Sequence, residues 1–583
     1  MNNGDSTASE VEPKPAGSGG LPPAVWYLAI IPSFLSFGYT MMRGSDLWFH
    51  LAIGRWIIEH RSLPLVDLWS FTRNGKPWLQ HEWLTDLLFG SVANVFGQNS
   101  LVYVKWILLI ATLLLLFRVV WRLSNEPLSS YLSLLLGTAV AAPFLDLRPH
   151  LITNLCYALL LCLLLPKKRP SLYLPLFFLL WANLHGGFFF GLMALLVLLA
   201  PTIVAGEQSE RMRASLIWIS SALLALLNPS GWKAFAYPLK YAFDRSSAFK
   251  ELDEWRPPFV DIGTHSALYP YAIGIFATAA LFLLFRRWRG KGGLNWAALG
   301  LVLLTLAMSL TSRRFIVLFA LSQSLITGPA LAILLSPVTQ KIPKLVAPAL
   351  AAALGLFWLY PYPLAPYAFH YLTAEDDFPV DTCNYIEINH LSGNVFSYYN
   401  WGGYLHLRTN GQMKVFIDGR ADTVYDSETF RRYLTVQRFQ PGWKEVIENS
   451  KAQYILWPRT SQGAPLAQLV DSGQWKILFD DFVSVLLVRT NQAPPEPLKQ
   501  TPESPYRQLT IGTLNLERRR YDVAELALKR ALEAMPCLRT AFYKLAQAQA
   551  SQGKKEEALK TLEQCERVFP DRGRIASAKA LIH

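Results

Sequence analysis

Apolar runs long enough, or nearly long enough, to cross a bilayer recur at 24–42, 101–121, 128–144, 149–166, 171–184, 187–206, 213–228, 267–286, 294–311, 315–337 and 344–361, which predicts a bundle of eleven transmembrane helices over 24–361. The stretch 171–206 is long enough for one helix, but Asn183, His185, Gly186 and Gly187 interrupt its middle. That break predicts two short spans around an outward tip, and polar and Gly residues there also suit a broken helix lining a cavity. Residues 1–23 are polar and lack the basic start of a cleaved signal, so they are expected to be a disordered cytoplasmic segment ahead of an uncleaved signal anchor.

Basic residues fall in alternate loops: Arg118 and Arg122; Lys167, Lys168 and Arg169; Arg211 and Arg213; Arg286, Arg287, Arg289 and Lys291; and Lys341 and Lys344. The opposite short loops hold only Arg148, Arg313 and Arg314. This asymmetry places the N-terminus in the cytoplasm, and an odd number of spans places the loops 43–100 and 229–266 and everything after Pro361 outside.

Beyond the last span the pattern changes. Over 370–490 short apolar runs at 394–399, 414–417, 453–457, 475–479 and 483–488 alternate with helical stretches, which predicts a small extracytoplasmic α/β domain. A Pro-rich linker at 491–505 leads into a helical tail at 506–583. In that tail Pro536 and Pro570 are 34 residues apart and follow matching small and apolar positions, Ala524, Leu528 and Ala531 against Ala558, Leu562 and Cys565. The tail resembles two tetratricopeptide (TPR) repeats. Two repeats are marginal alone, so the tail is expected to pack on the α/β domain or on a protein partner, and the linker to mark a boundary that few contacts cross.

Composition agrees with a membrane protein: 52% of the 583 residues are hydrophobic and 17% are charged. The net charge of +13 sits largely in the short loops, so it reads as membrane topology and not as nucleic-acid binding. The five cysteines have no paired spacing, which excludes a disulfide framework and a Cys-x-x-Cys metal or redox site.

The first outer loop carries the densest chemistry. Ser45-Asp46-Leu47-Trp48-Phe49-His50 follows the first span, then Arg55 and Glu59, and then His81-Glu82-Trp83 opens another apolar helix. Helical spacing puts Asp46 and His50 on one face. A carboxylate at the membrane boundary, with a second acid and imidazoles returning to it, suits base-catalysed attack on a lipid-linked phosphate ester. The plainer alternative is an interfacial amphipathic helix with Trp anchors and solvated charges.

This layout resembles the first outer loop of the GT-C glycosyltransferases, integral membrane enzymes that include the aminoarabinose transferase, the protein O-mannosyltransferases and the oligosaccharyltransferase catalytic subunit. Asp46-Leu47-Trp48-Phe49-His50, His81-Glu82-Trp83-Leu84, Arg148-Pro149-His150, Asn183-Leu184-His185-Gly186-Gly187, Tyr399-Asn400-Trp401-Gly402-Gly403-Tyr404-Leu405 and Phe416-Ile417-Asp418-Gly419-Arg420-Ala421-Asp422 look like a set shared by a bacterial branch of GT-C-like proteins. The resemblance covers about 24–490 and implies a sugar transfer from a polyprenyl-phosphate-linked donor at the outer face of the bacterial cytoplasmic membrane. It makes Asp46 the expected general base, with His50, His81 and Glu82 beside it. Arg148, Arg313 and Arg314 are the expected partners of the donor phosphate, with interfacial snorkelling as their alternative. His185, Asn400, Trp401, Tyr404, Asp418, Arg420 and Asp422 are the expected acceptor or sugar contacts. Asp418, Arg420 and Asp422 are also read as ligands of a divalent cation such as Mg or Mn, or as a structural Asp/Arg pair. Several GT-C branches carry Asp-Glu where this chain has Asp46-Leu47, which leaves open a non-catalytic scaffold that binds envelope proteins; a transporter is a third reading, against which the few membrane-embedded charges argue.

Overall fold

The computed structural model describes residues 21–41, 45–165, 170–243, 247–260, 266–362, 367–459, 464–495, 497–569, 572–580 and 582. The expected N-terminal segment up to residue 20 and the basic loop of Lys167, Lys168 and Arg169 lie outside them. Helices α1 (Pro23–Phe37), α2 (Asp46–His60), α3 (Trp83–Phe96), α4 (Leu101–Ser124), α5 (Pro127–Ala141), α6 (His150–Leu164), α7 (Leu174–Leu184), α8 (Phe188–Ala205), α9 (Gln208–Ala225), α10 (Trp232–Phe243), α11 (Tyr269–Trp288), α12 (Trp296–Thr311), α13 (Ile316–Ser322), α14 (Ser324–Thr339) and α15 (Val346–Leu359) build the first part of the molecule. Among the described residues, five helical stretches are long and apolar enough to cross a membrane: Gln98–Ser124, Pro127–Phe144, Phe188–Ala205, Tyr269–Trp288 and Arg313–Thr339. Helices α1, α3, α6, α7, α12 and α15 are apolar but shorter.

Local chemistry explains where these helices start and stop. Pro127 opens α5 with its missing N–H at no cost, and the Glu126 carboxylate accepts from the N–H groups of Leu128 and Ser129. The stretch 171–206 is divided between α7 and α8 because His185 is extended, with φ −162° and ψ 142°. The Asn183 side chain accepts from Trp83 Nε1 at 2.8 Å and donates to the Leu227 carbonyl at 3.3 Å, so the break ties α7 to α3 and to the end of α9.

Helices α2 and α3, both within 43–100, cross very closely. A Cβ on Gly54 would meet the carbonyl of Asp86, and one on Gly90 would meet the backbone of Gly54. Two glycines, one on each helix, therefore let the backbones approach to a distance at which short side chains of α2 and α3 bond directly.

The C-terminal half comprises α16 (Ala368–Thr373), α17 (Val380–Ile388), β1 (Gly393–Ser397), α18 (Gly402–Thr409), β2 (Met413–Val415), α19 (Ser427–Gln437), α20 (Trp443–Glu448), β3 (Tyr454–Pro458), α21 (Ala467–Asp471), β4 (Trp475–Asp480) and β5 (Ser484–Arg489). The sheet runs β2-β1-β3-β5-β4, with β1 parallel to β2 and β3 and the remaining pairs antiparallel. Parallel pairing puts the loops after β1 and β2 at one end of the sheet, and that end faces α2. Gly403 packs on the backbone of Phe49, and a Cβ on Gly419 would lie 3.1 Å from Asp46 Oδ1. The outer loop also joins the sheet edge: Phe71 N–H donates to the Val415 carbonyl, and Val415 N–H to that of Trp69.

Helices α22 (Pro505–Glu517), α23 (Tyr521–Ala534), α24 (Arg539–Ser551), α25 (Lys555–Val568) and α26 (Arg572–Ala580) form the tail. Specific contacts join the tail and the linker to the segment 371–389. Tyr506 donates to Glu375 at 2.6 Å, Thr540 N–H to Asp376 at 2.8 Å and Lys499 N–H to Asn389 at 2.8 Å, while Phe569 stacks on Tyr371. The cause lies in the segment 371–389, whose acids and aromatics are satisfied by the tail.

Candidate functional site

Asp46 is the first residue of α2 and accepts from Arg148, which stands just ahead of α6. Arg148 Nη1 also donates to Glu254 Oε2 at 2.9 Å, and Arg314 Nη1 lies 3.4 Å from Glu254 Oε1. The Arg314 guanidinium rests 4.7 Å from the ring centre of Trp255. Carboxylates and guanidinia thus alternate from Asp46 to Arg314. Burial alone would raise the Glu254 pKa, but Arg148 and Arg314 outweigh it and hold the carboxyl down to about 2.

A second polar group adjoins the first. His50 Nδ1 lies 2.5 Å from Asp86 Oδ1, which also accepts on its other oxygen from Gln80 at 2.7 Å. Glu82 Oε1 is 3.3 Å from His81 Nε2 and 3.3 Å from His185 Nε2, and Glu82 Oε2 is 3.9 Å from His50 Nε2. Burial would raise Glu82, yet His81, His185 and His50 hold it well below the usual carboxylate range. Asp86, more deeply buried, is raised by that burial.

The two histidines flanking Glu82 differ in state for a geometric reason. His185 Nδ1 accepts from Gly187 N–H at 3.0 Å and lies 2.7 Å from Thr153 Oγ1, whose oxygen already accepts from Trp181 Nε1. One nitrogen of His185 is an acceptor and the other faces Glu82, a neutral arrangement, and burial pushes its pKa down to about 3. Both nitrogens of His81 face acceptors, the Leu79 carbonyl and Glu82. Burial opposes the charge, but Glu82 and Leu79 prevail and raise the His81 pKa, which favours the imidazolium.

Asp422 accepts from Tyr237 at 2.8 Å, and burial raises its pKa. Tyr237, which donates to Asp422, has its ring centre 5.9 Å from that of His81, and His50 follows Asp46 by one turn of α2, so the two polar groups adjoin.

Asp46, His50, His81, Glu82, Arg148, Arg314, His185 and Asp422 are thereby brought together. Arg313 is not among them: it is fully buried and donates to Asp253. Asp418 and Arg420 are buried and bonded to each other, and Arg420 also reaches Asp67 at 2.7 Å while lying against Trp69 and Trp78. His406 and Tyr425 complete the Asp418 shell at 2.9 Å each. Burial would raise Asp418, but Arg420 and His406 hold it far below the usual range. This cluster pins loop 67–78 to the sheet and offers no open oxygen to a sugar or an ion. Tyr404 is likewise buried, against Trp48 and Phe378, with its hydroxyl on Arg408. Asn400 is exposed and, with Trp401, Tyr398, Ser45, Met41 and Arg539, lines a cavity of about 300 Å³ next to Asp46.

Among the described residues no three or more His, Cys, Asp or Glu side chains form a group able to hold a metal ion. Around Asp46 the acids are interleaved with arginines, and such a donor set does not suit a divalent cation.

Sequence reasoning missed Asp86, Tyr237 and Glu254. Asp86 follows Glu82 by four residues on one helix face, and Glu254 belongs to the Asp253-Glu254-Trp255 triplet of the second long outer loop. Those were the available signals.

No protein-family model matches the chain, and no curated protein matches it in sequence. Solved structures do match in shape. The chain aligns with the oligosaccharyltransferase of Archaeoglobus fulgidus tethered with an acceptor peptide containing the NVT sequon, at a TM-score of 0.53 and 12% identity, over 75% of this chain and 69% of that one. It also aligns with the archaeal oligosaccharyltransferase AglB from Archaeoglobus fulgidus in complex with an inhibitory peptide and a dolichol-phosphate, at a TM-score of 0.52 and 12% identity, over 91% of this chain and 86% of that one. The chain therefore shares the fold of these oligosaccharyltransferase structures, a GT-C-like fold.

Proposed function

We propose that the protein is a GT-C-type glycosyltransferase that moves a sugar from a polyprenyl-phosphate-linked donor to an acceptor on the outer face of a bacterial cytoplasmic membrane. The span count and charge asymmetry support eleven crossings, a cytoplasmic N-terminus and outer α/β and TPR-like parts. The observation that carries the reading is the Asp46–Arg148–Glu254–Arg314 array, whose Asp46 directly follows Ser45, a residue that lines the cavity at Asn400 and Trp401. In the reaction Asp46 takes the proton of the acceptor nucleophile, whose lone pair bonds to the anomeric carbon from the face opposite the leaving group. The bond between that carbon and the phosphate oxygen breaks, and its electrons leave with the phosphate, neutralised by Arg148 and Arg314. Arg148 touches both the base and the phosphate, so it aligns the two.

Asp46→Asn tests this reading. It removes proton acceptance with little change of shape, so transfer from the lipid-linked donor should fall at least about 10²-fold, while undecaprenyl phosphate still binds. Wild-type envelope glycans in a deletion strain complemented with well-expressed Asp46→Asn would instead favour the scaffold reading.

A further inference from the structure

Glu254 is placed where an anion is expected from outside. Its two oxygens face two guanidinia from distant parts of the chain, Arg148 at 2.9 Å and Arg314 at 3.4 Å. A phosphate ester offers the same thing, two anionic oxygens on one atom, and an arginine fork accepts either group. The clasp is partly open to solvent: the side chains of Arg148, Glu254 and Arg314 are 23%, 29% and 36% exposed, whereas that of neighbouring Arg313 is fully buried.

The Glu254 side chain is held by these two guanidinia, while its segment has separate anchors: Ser312 donates to the Glu254 carbonyl at 2.9 Å, and Arg313 N–H donates to the carbonyl of Arg256 at 3.0 Å. Arg314 lies on the Trp255 ring, and Arg148 keeps its bond to Asp46. If the carboxylate swings out, both guanidinia retain a second support and remain aimed at the vacated position.

Resting on the reading of Arg148 and Arg314 as the donor-phosphate site, we propose that Glu254 is the resident occupant of that site, a positioning residue that keeps the two arginines poised and is displaced by the incoming phosphate. Displacement then places the phosphate on Arg148, the same guanidinium that holds Asp46, and so brings the leaving group into register with the base.

The test uses the full chain in detergent with undecaprenyl phosphate and, separately, inorganic phosphate as probes. Glu254→Gln removes the competitor and should tighten undecaprenyl phosphate about fivefold, the scale expected for partly exposed ion pairs. Arg314→Gln should weaken it. A gain confined to the lipid assigns the site to a lipid headgroup, and an equal gain for inorganic phosphate assigns it to phosphate as such. Unchanged or weaker binding by Glu254→Gln, with Arg314→Gln still losing affinity, overturns the displacement and leaves the donor site standing. No loss in Arg314→Gln overturns both. A second measurement needs no variant: carbodiimide labelling of Glu254 in the wild-type chain, followed by mass spectrometry, should accelerate when undecaprenyl phosphate is added, and an unchanged or slower rate overturns the proposal.

Discussion

At the scale of single residues, the centre is built from carboxylates whose states are set by their partners. Glu82 and Glu254 are both held low, so the stability they contribute is fully present above their unfolded pKa, near 4.3, and is lost as pH falls through the folded values. His81 has the opposite sign: its pKa is raised, so its contribution is present below about 6.5 and is lost as pH rises through the folded value. The melting temperature of the purified chain should therefore fall on both sides of mildly acidic pH, steeply toward the acid side. Glu82→Gln should flatten both limbs, because it removes one depressed acid and the partner that raises His81. A profile of unchanged shape in that variant would contradict the assignment.

Elements decide whether these residues meet at all. His50 and Asp86 sit on different helices and bond at 2.5 Å only because Gly54 and Gly90 let α2 and α3 touch through their backbones. Gly54→Ala gains roughly 1 kcal/mol of helix propensity, but its Cβ falls on the Asp86 carbonyl, and overpacking of this kind costs about 1–3 kcal/mol. The net should be a lower melting temperature and, by parting His50 from Asp86, a loss of activity. Gly274 in α11 has no atom within 4 Å of its would-be Cβ, so Gly274→Ala should keep full activity and raise the melting temperature slightly through helix propensity alone. Differential scanning fluorimetry on the two variants side by side separates a close helix crossing from a general effect of adding methyl groups.

For the whole molecule, the parts are not independent modules. The outer loop extends the sheet edge at Val415, Arg420 clamps that loop through Asp67, and the tail covers Tyr371, Glu375 and Asp376. Arg539 of the tail even reaches the cavity beside Asp46. Removing residues 500–583 would uncover Tyr371 and leave Glu375 and Asp376 without their tail donors. The truncated chain should therefore express poorly or melt at lower temperature, and limited proteolysis should cut first within 367–390. Expression and melting at wild-type levels would show that the tail is dispensable for the fold.

Local pattern in the amino-acid sequence determined every element that depends on a short window. Each apolar run became helical, with 315–337 divided between α13 and α14, each of the five short runs over 394–488 became a strand, and the break at His185 fell where polar and Gly residues interrupt the run. Hydropathy and period are properties of neighbouring residues, which is why they were legible. So was the gathering of Asp46, His50 and Glu82, since all three belong to one loop. Which charge pairs with which was decided only by the tertiary structure. Arg148, Arg313 and Arg314 look equivalent in sequence, yet two converge on Glu254 and the third is buried on Asp253. Asp418 and Arg420 read in sequence either as sugar or cation ligands at strand ends or as a structural pair, and in the structure they bond to each other while the loop 67–78 supplies Asp67 to Arg420. Ion pairing is settled by distance and burial between segments far apart in the chain, and no local pattern carries that information.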